Sequence, residues 1–162
     1  MATPNKDAAE LLTANLHHNT TYQADLLERF RLRTVSVGRA LEAAATDAGE
    51  QTLLIAEDAL ELVSAAYYPD NALTAVTAAK ATLTIGKADG AGGAVTAFDS
   101  FHTAVTADGG TDDWVQGVPE AWTIDSTTDT LTAGQALMLV VAKTGAGTAL
   151  PTGTIIVKYR LL

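Results

Sequence analysis

In the segment Thr154–Leu162, Ile155, Val157, Tyr159 and Leu161 fall on one side of an extended chain, and Lys158 and Arg160 on the other. A period of two defines a β-strand with one face in a core and one toward water or a neighbour. The run before it, Leu137–Ala142, is apolar on both faces, as expected of a strand in the middle of a sandwich. Thr144-Gly145-Ala146-Gly147 and Pro151-Thr152-Gly153 lie between the two and turn the chain. The last strand is expected to be held in a sheet and not left as a tail. Neither run carries a catalytic residue type. This stretch reads as scaffold, and function is expected at surfaces.

The same grammar extends back to Leu32. Val35 and Val37 oppose Thr34, Ser36 and Gly38, and Thr52–Ile55 and Leu60–Val63 are short apolar segments around Glu57-Asp58. Tyr67-Tyr68-Pro69-Asp70-Asn71 reads as a turn, because proline presets its own dihedral and Asp and Asn tolerate tight bends. Ala81, Leu83 and Ile85 alternate with Thr82 and Thr84 as a half-buried strand. Asp89–Gly93 and Asp108-Gly109-Gly110 bound a segment over Val95–Val105, and Trp122 and Ile124 share a face before the Asp125–Asp129 turn. Leu41–Asp47 fits a helical turn or a loop equally well. Roughly eight strands between Gly and Pro turns predict an all-β sandwich or barrel.

The N-terminal part has a different texture. No glycine precedes Gly38, and the charges of residues 1–33 cancel. Thr3-Pro4 with Asp7 predicts a helix start, followed by an apolar stripe of Ala8, Leu11, Leu12 and Leu16. Thr20 and Gln23 form a capping-box pattern for a second helix carrying Tyr22, Leu26 and Phe30. Isolated helices shorter than about 12–15 residues are marginal in water. The division is therefore an arm over residues 1–31, helical or extended, and a β-domain over residues 32–162. The arm needs its own domain or a partner to lie against.

Composition limits the function. The formal net charge is −9, all of it in residues 34–162, where 15 acidic residues face 6 basic ones. Such a surface repels nucleic acid and anionic membranes. The absence of cysteine rules out disulfides, thiolate metal sites and cysteine nucleophiles. No apolar run reaches the ~20 residues of a helical membrane span. Residues 1–20 lack a secretory apolar region, so synthesis without a cleaved signal is expected and the Asn19-Thr20-Thr21 sequon has little weight.

The C-terminal pattern carries a resemblance. Leu131-Thr132-Ala133-Gly134, Leu137–Gly145 and Leu150-Pro151-Thr152-Gly153-Thr154-Ile155-Ile156-Val157-Lys158-Tyr159 together resemble the closing strands of jelly-roll head decoration proteins of tailed bacteriophages, also called cement or capsid-stabilising proteins. The match extends loosely over residues 32–162 and is one of strand and turn types. It implies a jelly-roll antiparallel β-sandwich preceded by an arm. It also implies a non-enzymatic homotrimer that needs no cofactor and sits on the outer surface of the virion, on the major capsid protein where capsomers meet.

Few residues could carry chemistry. His17 and His18 are neighbours, which point about 100° apart on a helix and chelate poorly together. His102 is the one histidine of the β region, whereas a metal-binding cupin needs several converging with a carboxylate. Asp108, Asp112 and Asp113 could offer oxygen ligands to Ca²⁺, but without EF-hand spacing they read as a solvated loop. Glu57, Asp58 and Glu61 read as a solvated edge before they read as acid–base catalysts. Lys87–Gly93 shares only its glycine content with a phosphate loop. Trp114, Tyr67 and Tyr68, if exposed together, would form an aromatic platform for a sugar or a protein, the basis of an alternative reading as a carbohydrate- or receptor-binding module of a fibre or spike. Trp122, beside Ile124, is expected to be buried. In the arm, Leu11, Leu12, Leu16, Tyr22 and Leu26 are candidate anchors on a partner. Arg29, Arg31 and Arg33 would line one face of an extended segment, facing either water or an acidic partner.

Overall fold

The computed structural model describes residues 32–39, 49–75, 77, 80–90, 93–104, 110–144 and 150–162, and these form strands and their connections. The order is β1 (Leu32–Arg39), β2 (Gly49–Ile55), β3 (Leu60–Pro69), β4 (Lys80–Ala88), β5 (Thr96–His102), β6 (Glu120–Trp122), β7 (Thr130–Leu131), β8 (Ala136–Thr144) and β9 (Gly153–Leu161). One sheet runs β1-β9-β3-β6 with the short β7 also on β3, and the other runs β2-β8-β4-β5. The pairs β1·β9, β2·β8, β3·β6 and β4·β5 describe one long hairpin with β4 and β5 at its tip. Wrapping that hairpin on itself adds the antiparallel β3·β9 and β4·β8 ladders. This is the strand order of a jelly roll, the β-sandwich expected from the sequence.

The core follows the alternation that the sequence predicts for β4 and β9, and alternate members of the apolar run of β8 join it. Ala81, Leu83 and Ile85 of β4, Leu137, Leu139 and Val141 of β8, and Ile155 and Val157 of β9 are all buried. β8 lies between β2 and β4 in its sheet, with Leu137, Leu139 and Val141 buried on one face and Met138 and Val140 half-buried on the other. β3 departs from simple alternation. Its register against β9 shifts between Leu62 and Ser64, which turns Val63 outward at 38% exposure. That bulge lets Leu60 and Leu62 on one side of it, and Ala65 and Tyr67 on the other, all face inward.

Two sequence readings change here. Tyr67, Tyr68 and Pro69 lie inside β3, and the bend starts at Asp70, whose N–H bonds to the Thr152 carbonyl. Burial of Tyr67 and the ladder with β9 outweigh the local turn preference of the Pro-Asp-Asn sequence. The strand expected over Val95–Val105 is the shorter β5, and its register against β4 shifts between Ile85 and Gly86. Gly153 is dictated by close approach. A Cβ there would lie 2.5 Å from the Tyr68 carbonyl oxygen and 2.6 Å from the Tyr67 ring. The segment Leu41–Asp47 and the arm, residues 1–31, lie outside the described residues.

The connections segregate to two ends. At one end, Leu73 and Trp114 exchange backbone hydrogen bonds, Gly117 N–H donates to the Pro69 carbonyl, and the Tyr67 hydroxyl donates to Pro151. At the other, the β2–β3 turn, which crosses between the sheets, is tied to the turn before β8 by Ala56 N–H to Gln135 O at 2.9 Å and Gly134 N–H to Ala56 O at 2.7 Å. Among the described residues no helix is long and apolar enough to cross a membrane.

Candidate interaction surface

The interior is the first place to look for a site, because jelly rolls that bind ligands often do so between the sheets. Here it is filled by side chains. Phe101 and Trp122 bring ring centroids to 4.7 Å between the two sheets, and the Trp122 indole N–H donates to the Leu83 carbonyl at 3.1 Å. The buried polar residues described are Thr103 and Asp129. Thr103 Oγ1 accepts from Ala81 N–H, and an Asp129 carboxylate oxygen accepts from Asp125 N–H, so both serve the backbone.

The aromatic platform is not formed. Trp114 is 1% exposed and Tyr67 0% exposed, while Tyr68 is half-buried. Tyr67 and Phe101 hold the Trp114 ring at centroid distances of 5.6 and 5.8 Å, and its indole N–H donates to Thr111 Oγ1 at 2.7 Å. The physical reason is size. These rings are the largest apolar bodies in a core otherwise built of small and branched residues, and they plug the loop end of the sandwich. Trp122 is buried as expected, at 4%.

The polar candidates separate. His102 is half-buried at the end of β5, and its Nδ1 accepts weakly from Ala104 N–H at 3.4 Å. Asp113 uses a carboxylate oxygen to accept from Ala75 N–H at 2.8 Å, Asp112 adopts a left-handed backbone with φ 63°, and Asp108 lies outside the described residues. Glu61 pairs with Arg160 at 3.0 Å, apart in role from the exposed Glu57 and Asp58. Lys87 donates to the Thr130 carbonyl and stands over the Phe98 ring, a strand residue tying two segments together. Among the described residues no three His, Asp or Glu side chains gather as a metal-binding group. Two carboxyls have displaced acidities. Partial burial pushes Glu120 up, against a lowering hydrogen bond from Thr111, and hydrogen bonds from Thr127 pull Asp125 down.

The described residues also form a concave feature that the sequence did not signal as a site. A groove of about 380 Å³ opens where β2 turns into β3 beside the end of β9. Leu54, Leu60, Tyr159 and Leu161 form its apolar lining, and Ile55, Glu57, Asp58 and Arg33 stand exposed around it. The available signal was the triplet Leu53-Leu54-Ile55. Three consecutive apolar residues in a strand cannot all face one core, and Ile55 is 64% exposed. Arg33 is the one residue of the expected partner-contact set that the structure describes; it is exposed on β1. Leu11, Leu12, Leu16, Tyr22, Leu26, Arg29 and Arg31, with His17 and His18, lie outside the described residues.

No family model matches the chain, and no curated protein matches it. Among solved structures, that of infectious bursal disease virus, Gx strain, aligns with 81% of this chain at 16% identity and a TM-score of 0.37. The alignment spans 32% of the viral chain, so the present chain corresponds to about a third of that protein's length.

Proposed function

We propose that the protein is a non-enzymatic structural component of a virion, decorating and stabilising an icosahedral phage capsid from its outer surface. In this reading it binds the major capsid protein as a homotrimer across capsomer boundaries. The observation that carries the reading is a jelly roll whose described residues form a cluster of apolar side chains between the sheets. Jelly rolls serve capsids, lectins and cupin enzymes alike, so the fold alone does not choose among them. A cupin requires ligands converging between the sheets, and here that space holds Phe101, Trp122, Leu83 and Leu139. A lectin built on Trp114 and Tyr67 requires those rings at the surface, and they are buried. Surface contact is what such a domain has left to offer, and the decoration-protein pattern of its closing strands matches that role.

The mechanism is additive contact. Each protomer contributes modest apolar and charged surface, with the arm residues Leu11, Leu12, Leu16, Tyr22 and Leu26 and the Arg29, Arg31, Arg33 set as tethers. Joining protomers raises avidity through effective concentration. A ligand that binds only the assembled shell stabilises it, by about 2.7 kcal/mol per site at a hundredfold excess over Kd. The test is to add purified protein to shells that lack it, then follow co-sedimentation and the temperature of shell disruption. Saturable binding with a raised disruption temperature is expected. Reproducible binding of the wild type to one glycan class, with none to shells, would transfer the assignment to a receptor-binding module.

A further inference from the structure

We propose that the turn Val115–Val118, beside Trp114, is the point at which the β-domain seats on a shell, in an apolar pocket of the capsid protein bordered by lysine or arginine. The inference rests on the proposed decoration role and adds to it a surface on the β-domain and the chemistry of the contact.

The turn holds two apolar side chains in water on a fixed backbone. Val118 N–H donates to the Val115 carbonyl at 3.0 Å, and Gly117 stands between them at φ 72°. A positive φ at the third of four residues marks a type II turn, whose outer pair lies within about 7 Å. Val115 and Val118 are that outer pair, 56% and 48% exposed, although Trp114 beside them is buried. The backbone around them is tied to the β3–β4 connection at three places. Gly117 N–H donates to the Pro69 carbonyl at 2.8 Å, Trp114 and Leu73 exchange backbone bonds, and an Asp113 carboxylate oxygen accepts from Ala75 N–H at 2.8 Å. A surface ordered in advance loses little conformational freedom on binding, so its apolar side chains contribute more fully to affinity. Apolar side chains at the centre of a contact with polar residues around them match the anatomy of protein interfaces.

Charge selects the occupant. The connections at this end, residues 70–79, 103–119 and 145–152, contain Asp70, Asp108, Asp112 and Asp113 and no lysine or arginine. Asp112 and Asp113 are exposed just before the turn, and Glu120 follows it at the start of β6. Along the sequence no basic residue stands between Lys87 and Lys143. The opposite end differs, because Arg33 stands there with Glu57 and Asp58 and the signs are mixed. A surface of one sign attracts a partner of the other and repels its own, so a basic rim suits this turn and an acidic one does not. Exposed ion pairs contribute little energy. The valines therefore supply affinity, and the carboxylates set the partner and the rate of encounter.

The experiment uses the full chain and purified shells that lack it, with co-sedimentation as the readout. Val115→Ser with Val118→Ser should weaken binding by about tenfold or more, the loss expected when buried valines are replaced by polar side chains. Asp112→Asn with Asp113→Asn should also weaken it and flatten its salt dependence, because the screened attraction is gone. Asparagine tolerates the left-handed backbone at Asp112 and keeps an acceptor for Ala75 N–H. All four residues are exposed, and thermal melts matching the wild type check the fold. A second measurement does not depend on weakened binding. The chain has no cysteine, so Val118→Cys introduces a unique thiol. Its alkylation by iodoacetamide should slow severalfold when shells are in excess. Folded variants that bind shells as tightly as the wild type, or a thiol alkylated equally fast with and without shells, would overturn this contact and leave the decoration role standing. A wild type that does not bind shells would overturn both.

Discussion

Trp114 shows how a single side chain redirects a functional reading. Flanked by loop residues in sequence, it is packed against Tyr67 and Phe101 and hydrogen-bonded to Thr111. Trp114→Ala is therefore expected to destabilise the domain by about 3–5 kcal/mol, the usual cost of removing a large buried aromatic. Chemical denaturation measures it directly, and a loss below about 1 kcal/mol would mean that the ring is not part of the core. Glu120 gives a prediction with a sign. Its acidity is weakened by partial burial, so its folded-state pKa lies above the ordinary 4.5. A raised carboxyl pKa means the folded state prefers the protonated form. Its favourable contribution is complete below the unfolded value and disappears as pH rises through the folded one. Glu120→Gln should accordingly raise stability near neutral pH, and the advantage should shrink as pH falls through the folded value and be largely gone below 4.5. Urea midpoints of both proteins across that interval test the sign. Asp125 behaves oppositely. Its lowered pKa makes its stabilising contribution complete above the ordinary 3.8, to be lost as pH falls through the folded value.

At the scale of elements, the question is what the arm does for a sandwich whose described core residues run from Val35 to Leu161. Those residues come from strands of both sheets and from Ala56, Leu73, Trp114, Ile124 and Leu150 between strands. Deleting residues 1–28 is expected to leave a folded β-domain with its melting temperature little changed, since β1 begins at Leu32. The same deletion should weaken attachment to shells lacking the protein, because it removes Leu11, Leu12, Leu16, Tyr22 and Leu26. Repeating the binding measurement with added salt separates contributions, because charge contacts of Arg29, Arg31 and Arg33 are screened and apolar ones are not. A truncated domain that binds shells as tightly as the full chain would exclude the arm as tether. A truncated domain that fails to fold would move the domain boundary toward the N-terminus.

At the scale of the molecule, the described residues leave apolar side chains exposed at both ends of the sandwich, Ile55 and Leu162 at one and Val115 and Val118 at the other. Ile55 ends β2, and Leu162 lies beside the β2–β3 turn through its N–H bond to the Ala59 carbonyl. Light scattering on the purified protein is expected to give about three times the 16.7 kDa chain mass. A clean monomer at micromolar concentration would remove the avidity on which the decoration mechanism depends. The net charge of −9 keeps such an oligomer soluble, and it opposes binding to DNA-like polyanions.

The sequence by itself determined the strands whose side chains obey a strict local period, β4 and β9, with their buried faces, and it marked β8 as a central strand by its unbroken apolar run; through them it determined an all-β sandwich. Period-two burial is a local property, so it can be read without knowing the neighbours. Resemblance of the closing strands pointed to the jelly-roll order. Tertiary structure decided everything that depends on partners distant in the chain. It placed Tyr67, Tyr68 and Pro69 in β3, because the ladder to β9 and the Tyr67 bond to Pro151 outweigh local turn chemistry. It buried Trp114, because the rings it meets come from β3 and β5. It also assembled the groove from Arg33, the β2–β3 turn and β9, segments separated by much of the sequence. The apolar triplet Leu53-Leu54-Ile55 signalled that one side chain must face outward. Only the packing of the two sheets showed what that outward residue borders.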